Sequence, residues 1–116
     1  MKRTHHCNEL RLEHASQEVT LSGWVHSCRD LGGVIFIDIR DREGRTQVVF
    51  DPQETDSALV EIAGKLRSES VISVSGKVRQ RPDETENPKI PTGQIEVVAA
   101  EMEVHNHADV LPFQVN

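Results

Sequence analysis

Between residues 34 and 50 the chain alternates so regularly that a β-hairpin is the one simple fold open to it. Ile35, Ile37 and Ile39 interleave with Phe36, Asp38 and Arg40, and Thr46, Val48 and Phe50 interleave with Arg45, Gln47 and Val49. Successive side chains of a strand point to opposite faces, so the isoleucines take the core face and Phe36 goes outward with the charges. Glu43-Gly44 supplies the turn. Gln47 then joins Phe36 on the open, solvent-facing side, flanked by Arg40 and Arg45. An outward ring beside an amide and arginines suits stacking on an unpaired base and hydrogen bonding to its edge. A single surface Phe is also ordinary, because more than half of a folded surface is apolar.

The rest of the chain supplies three more strands and one helix. A first strand over Val19–Cys28 places Val19, Leu21 and Val25 on one parity, with Gly23 where a small residue permits curvature. Arg29-Asp30-Leu31-Gly32-Gly33 reads as the loop into the hairpin. Thr55 or Asp56 can cap a helix whose packed stripe is Leu59, Ile62, Ala63 and Leu66. A fourth strand over Val71–Gln80 turns Ile72, Val74 and Val78 inward and Ser73, Ser75, Lys77 and Arg79 outward, with Gly76 on the inner parity. After a polar, Pro-containing loop (82–93), a fifth strand from Gln94 to Val104 switches phase between Ala99 and Met102, as through a bulge. Three strands, a helix and two strands, with glycines on curved inner faces, is the layout of an all-β, five-stranded Greek-key OB-fold barrel with its helix between strands 3 and 4. An SH3-like barrel, which lacks that helix, ranks second.

Composition narrows the function classes. At 116 residues the chain is a single domain, and with 3% aromatics its core rests on Val, Ile and Leu. No stretch approaches the ~18 apolar residues of a membrane span, and the first residues lack the apolar run of a signal peptide, so a cytoplasmic protein with no membrane partner is expected. Cys7 and Cys28 read as reduced thiols. The net charge of −6 argues against a generic duplex binder. Lys77, Arg79 and Arg81, with Arg29, Arg40, Arg42 and Arg45, form a local basic patch on an acidic body. The six histidines lack the paired spacing of a zinc site, and the nucleophile, phosphate-loop and metalloprotease motifs are absent, so no metal and no catalytic residue is assigned. Asp38, Asp41 and Glu43 read as an exposed turn salt-bridged to Arg40, Arg42 and Arg45.

Several long segments resemble a known family. Arg-Thr-His at 3–5 with Cys7, Val-Thr-Leu-Ser-Gly-Trp-Val at 19–25, Arg-Asp-Leu-Gly-Gly-Val-Ile-Phe-Ile-Asp-Ile-Arg-Asp-Arg-Glu-Gly at 29–44 and Gln-Val-Val-Phe-Asp-Pro at 47–52 carry the likeness. Leu-Arg-Ser-Glu at 66–69, Gly-Lys-Val-Arg-Gln-Arg-Pro at 76–82, Asn-Pro at 87–88, Thr-Gly-Gln-Ile-Glu-Val at 92–97 and Ala-Asp-Val-Leu-Pro-Phe at 108–113 extend it over essentially the whole chain. Together they resemble the amino-terminal, anticodon-binding domain of bacterial aspartyl-tRNA synthetases. The resemblance implies that residues 1–107 form the domain and that 108–116 begin a linker to a catalytic domain. It further implies a homodimeric parent that joins aspartate to tRNA with ATP and Mg2+, chemistry with no residues or cofactor in this chain.

By the same resemblance Phe36 stacks on an anticodon base of tRNA(Asp), Gln47 reads the central uridine, and Arg29 contacts the anticodon or its phosphates. Arg79, Arg81 and Asn87 are implied as further anticodon contacts. Ser27-Cys28 stand where the family often carries arginines, which shifts weight onto Lys77, Arg79 and Arg81. Relatives that also charge tRNA(Asn) often carry His at the position of Leu31 and Gly at that of Glu84, so these two residues imply a preference for tRNA(Asp). The rival class is a free-standing OB-fold module that binds single strands.

Overall fold

The computed structural model describes residues 2–82 and 87–106. Five strands, β1 (Glu18–Leu31), β2 (Val34–Arg40), β3 (Arg45–Phe50), β4 (Val71–Gln80) and β5 (Ile95–Asn106), close into a barrel in the order β1-β2-β3-β5-β4. Helix α1 (Ser57–Gly64) lies between β3 and β4. All pairings are antiparallel except β3 with β5, where Val48 faces Val97 and Val49 faces Val98 in parallel.

Closure depends on β1, which pairs with β4 through Glu18–Trp24 and with β2 through Trp24–Leu31. The strand bends where the two ladders meet. Gly23 sits there against the next strand, and a Cβ on it would stand 2.2 Å from the Arg40 carbonyl oxygen. One extra residue between Val25 and Ser27 then shifts the phase, so that Cys28 faces the core and packs beside α1. Gly76 has the same role in β4, with a built Cβ 2.1 Å from the Val98 carbonyl oxygen, next to the predicted phase switch of β5.

The interior is aliphatic. Leu21, Val25, Ile37, Ile39, Val48, Phe50, Ile72, Val74, Ile95 and Val97 are completely buried. At one end α1 packs against β1, β2 and β3, its first turn capped by Asp56, whose carboxylate accepts from the Ala58 amide at 2.8 Å. The other end is closed by an irregular segment that no periodicity marks. Cys7 and Leu10 are fully buried there, and Thr46 Oγ1 donates to the Cys7 carbonyl at 2.8 Å.

Several expectations are corrected. Arg29, Asp30 and Leu31 are strand rather than loop, and Gly32-Gly33 alone make the turn, both at positive φ (67° and 92°) as a two-residue hairpin turn requires. Helix α1 buries Val60 and Ala63 and leaves Ile62 exposed, because it ends at Gly64 and Leu66 packs from beyond it. Ser73 is buried although outward, bonded to Ser22 and His105. Asp41 is not the partner of Arg40, Arg42 or Arg45. It accepts from the backbone amides of Cys7, Glu43 and Gly44, tying the N-terminal segment to the β2–β3 turn. Glu84 and the linker at 108–116 lie outside the described residues.

Candidate nucleic-acid interface

On the outer face of β1, β2 and β3 the register brings the signalled side chains into one groove of about 380 Å³. Arg29 and Leu31 come from β1, Phe36 and Asp38 from β2, and Gln47 from β3, while Arg81, Asn87 and Ile90 close the side from the segment after β4. Arg29 and Phe36 are directly paired across the strands, and the guanidinium carbon stands 5.8 Å from the centre of the ring. That contact fixes the ring by cation–π attraction while leaving it half-buried. Leu31 is the exposed apolar residue at the rim.

Gln47 is the main correction at the site. It belongs to the outer face, as predicted, but it is only 5% exposed and so is not on the solvent face. β3 runs between β2 and β5, and Thr92 Oγ1 donates to the Arg45 carbonyl, drawing the loop before β5 over the strand. The amide is thereby built into a chain of contacts. Its Oε1 accepts from Arg29 at 3.1 Å, and its Nε2 donates to Glu96 at 2.9 Å. A donor on one side and an acceptor on the other decide which way the amide faces, leaving one N–H and one lone pair for a ligand.

Nothing local in the sequence marks Glu96 as part of the site. Its place between Ile95 and Val97 puts it on the outer parity of β5, but only the long-range pairing of β5 with β3 brings it beneath Gln47. It is 3% exposed and also accepts from Arg79 Nε at 2.7 Å. Arg79 in turn reaches Glu54 at 2.8 Å. Burial disfavours the Arg79 cation, but the two carboxylates outweigh it and hold its pKa above the ordinary value. Arg79 is therefore neutralised behind the groove rather than lining it.

Arg81 is set into the wall, 6% exposed, with Nε donating to the Ile95 carbonyl at 3.0 Å. Burial lowers its pKa, Glu96 and Asp38 raise it, and the cations of Arg29 and Arg45 lower it again, for a net decrease. Asn87 Oδ1 accepts from the Lys89 amide, which shapes the loop at the groove's edge. The floor thus offers a ring, an amide with two free valences and two cations, beside the Asp38 carboxylate that accepts from Ser27. Such an arrangement can stack a flat base, bond its edge and neutralise the strand that carries it. Lys77 and Arg79 are not among the residues lining the groove, so the basic row expected along β4 does not converge on it.

The barrel and its groove define an OB-fold domain of the nucleic-acid-binding class. Residues 19–105 match the tRNA anti-codon family of OB-fold nucleic acid binding domains, and the chain belongs to that family. Among its relatives are the aspartate–tRNA(Asp/Asn) ligases of Gluconobacter oxydans, 57% identical over 113 residues, and of Desulfosudis oleivorans, 54% identical over 115. These alignments cover 97% and 99% of this chain. They bear out the resemblance seen in the motifs. The chain spans only about a fifth of those relatives' length, 18% and 19%. Among solved structures it is similar to asparaginyl-tRNA synthetase from Pyrococcus horikoshii, with TM-score 0.75 and 31% identity over 90% of this chain and 23% of that one.

Proposed function

We propose that this chain is the anticodon-binding domain of an aspartate–tRNA ligase, and that its groove takes the anticodon loop of tRNA(Asp). The observation that carries the reading is the half-buried Phe36 ring under Arg29, beside the Gln47 amide held between Arg29 and Glu96. Phe36 supplies the stacking platform. Gln47 offers its remaining donor and acceptor to the central uridine, with Arg29, Arg81 and Asn87 along the strand's path. Arg79 acts through Glu96, which positions Gln47.

In this reading the parent enzyme joins aspartate to tRNA with ATP and Mg2+ in a separate catalytic domain, as a cytoplasmic homodimer. Among the described residues no helix is long and apolar enough to cross a membrane. The relatives are named for both tRNA(Asp) and tRNA(Asn). Leu31 and Glu84 favour tRNA(Asp) here, and Leu31 occupies the rim where a neighbouring base would lie.

The test is titration of this chain with an anticodon stem-loop of tRNA(Asp). Binding that weakens on Phe36→Ala, and that loses its preference for uridine over cytidine at the central position on Gln47→Ala, is the expected result. Equal affinity for unrelated single strands would instead indicate a module without anticodon selection.

A further inference from the structure

Beyond the groove just described, the outer face of the hairpin continues toward its turn. Arg40 follows Phe36 and Asp38 on β2, Arg45 precedes Gln47 on β3, and the two arginines are paired directly across the strands. Like charges in that position repel. Among the described residues neither guanidinium has a carboxylate within 4.0 Å, although Glu43 lines the same hollow. The hollow measures about 320 Å³ and is bounded by both arginines, Asn8, Gly44 and the Ile90-Pro91 ridge. Ile90 also lines the first groove, so the two are contiguous across one side chain. Arg45 lies two residues from Gln47, about 7 Å along the strand.

From this geometry we infer that the Arg40–Arg45 hollow is a phosphate site, holding the sugar–phosphate backbone of the RNA strand whose base lies on Phe36. An anion between the paired guanidiniums relieves their repulsion, where no carboxylate of the described residues stands within 4.0 Å. Through the shared Ile90 wall these cations adjoin Arg29 and Arg81 of the first groove. The site contributes affinity without base selection, because phosphate contacts carry no sequence information. It compensates for Lys77 and Arg79, which do not line the groove. The inference rests on the proposed anticodon reading and adds a second binding element to it.

The test measures stem-loop affinity against salt, between about 50 and 200 mM, for four proteins: the parent chain, Arg40→Ala/Arg45→Ala, Lys65→Ala/Lys77→Ala and Phe36→Ala. Each phosphate contact to a single strand contributes about 0.7 to the slope of log affinity against log salt. The Arg40/Arg45 variant is expected to have a slope shallower by about 0.7 or more, equally for the cognate loop and one with a changed central base. Removal of the same charge at Lys65 and Lys77 leaves the slope in place. Circular dichroism of the Arg40/Arg45 variant should match the parent, and its melting temperature should equal or exceed the parent's, because the cross-strand repulsion is gone. An unchanged slope in that variant, or an equal change on losing Lys65 and Lys77, overturns the phosphate site while Phe36→Ala still weakens binding. No binding by the parent chain, or none lost on Phe36→Ala, instead overturns the anticodon reading.

Discussion

At the scale of single residues, Phe36 and Gln47 share a face but differ in what they support. Phe36→Ala should weaken stem-loop binding by about 1–3 kcal/mol and tolerate changes of base, since every base presents a π-face. Its cost in folding stability should be well below that of Ile37→Ala, whose fully buried side chain predicts a loss of about 2–5 kcal/mol in denaturant unfolding. Gln47→Ala should reduce both stability and base discrimination, because it strips a hydrogen bond from the buried Glu96 carboxylate. A loss of about 1–3 kcal/mol in urea unfolding is expected. Asp41 gives a pH signature. Burial raises its pKa, but the amides of Cys7, Glu43 and Gly44 hold the net value below the ordinary 3.8. A depressed folded-state pKa stabilises the fold above the unfolded value, and that contribution is lost as pH falls through the folded value. Melting temperature should therefore decline below about pH 4, and Asp41→Asn should flatten that decline.

At the scale of elements, the strands were legible wherever one face is buried and the other wet, because period-two alternation then appears in the sequence. β2 and β4 are of this kind, and the phase switch of β5 showed as a break in the same pattern. β3 was only half legible. Its core face was plain, but Gln47 and Val49 are covered on the other side by neighbours far away in the chain. Arg29–Leu31 carry no strand signal in the sequence, because exposed residues at the end of a strand have no burial pattern. The N-terminal closure by Cys7 and Leu10 was invisible, since an irregular segment has no period. The curvature positions were readable as glycines, and their reason is steric. Gly23→Ala and Gly76→Ala each drive a methyl into a neighbouring carbonyl, and overpacking of this kind predicts a loss of about 1–3 kcal/mol or more. Urea denaturation of the two variants measures it.

At the scale of the whole molecule, an acidic body carries a cationic path on one face. The net charge of −6 and the clustering of arginines along β1–β3 together predict weak, salt-sensitive binding directed to a short single strand. The sequence placed Phe36, Gln47 and Arg29 on this path through strand parity and family likeness. Arg79 is drawn off this path by its ion pairs with Glu54 and Glu96, which depend on how β4, β5 and the segment after β3 meet in space, and Lys77 does not line the groove. The central claim is that the outer face of β1–β3 is where the anticodon loop lies. Backbone amide NMR, recorded while the anticodon stem-loop is titrated into the isotopically labelled chain, tests it most directly. Concentrated shift changes at Arg29, Phe36, Gln47 and Asn87, with little change around Glu18–Thr20 and the outer face of β4, are the predicted result. Changes centred on Glu18–Thr20 or on Ser73–Lys77, with the Phe36 amide undisturbed at saturation, would contradict it.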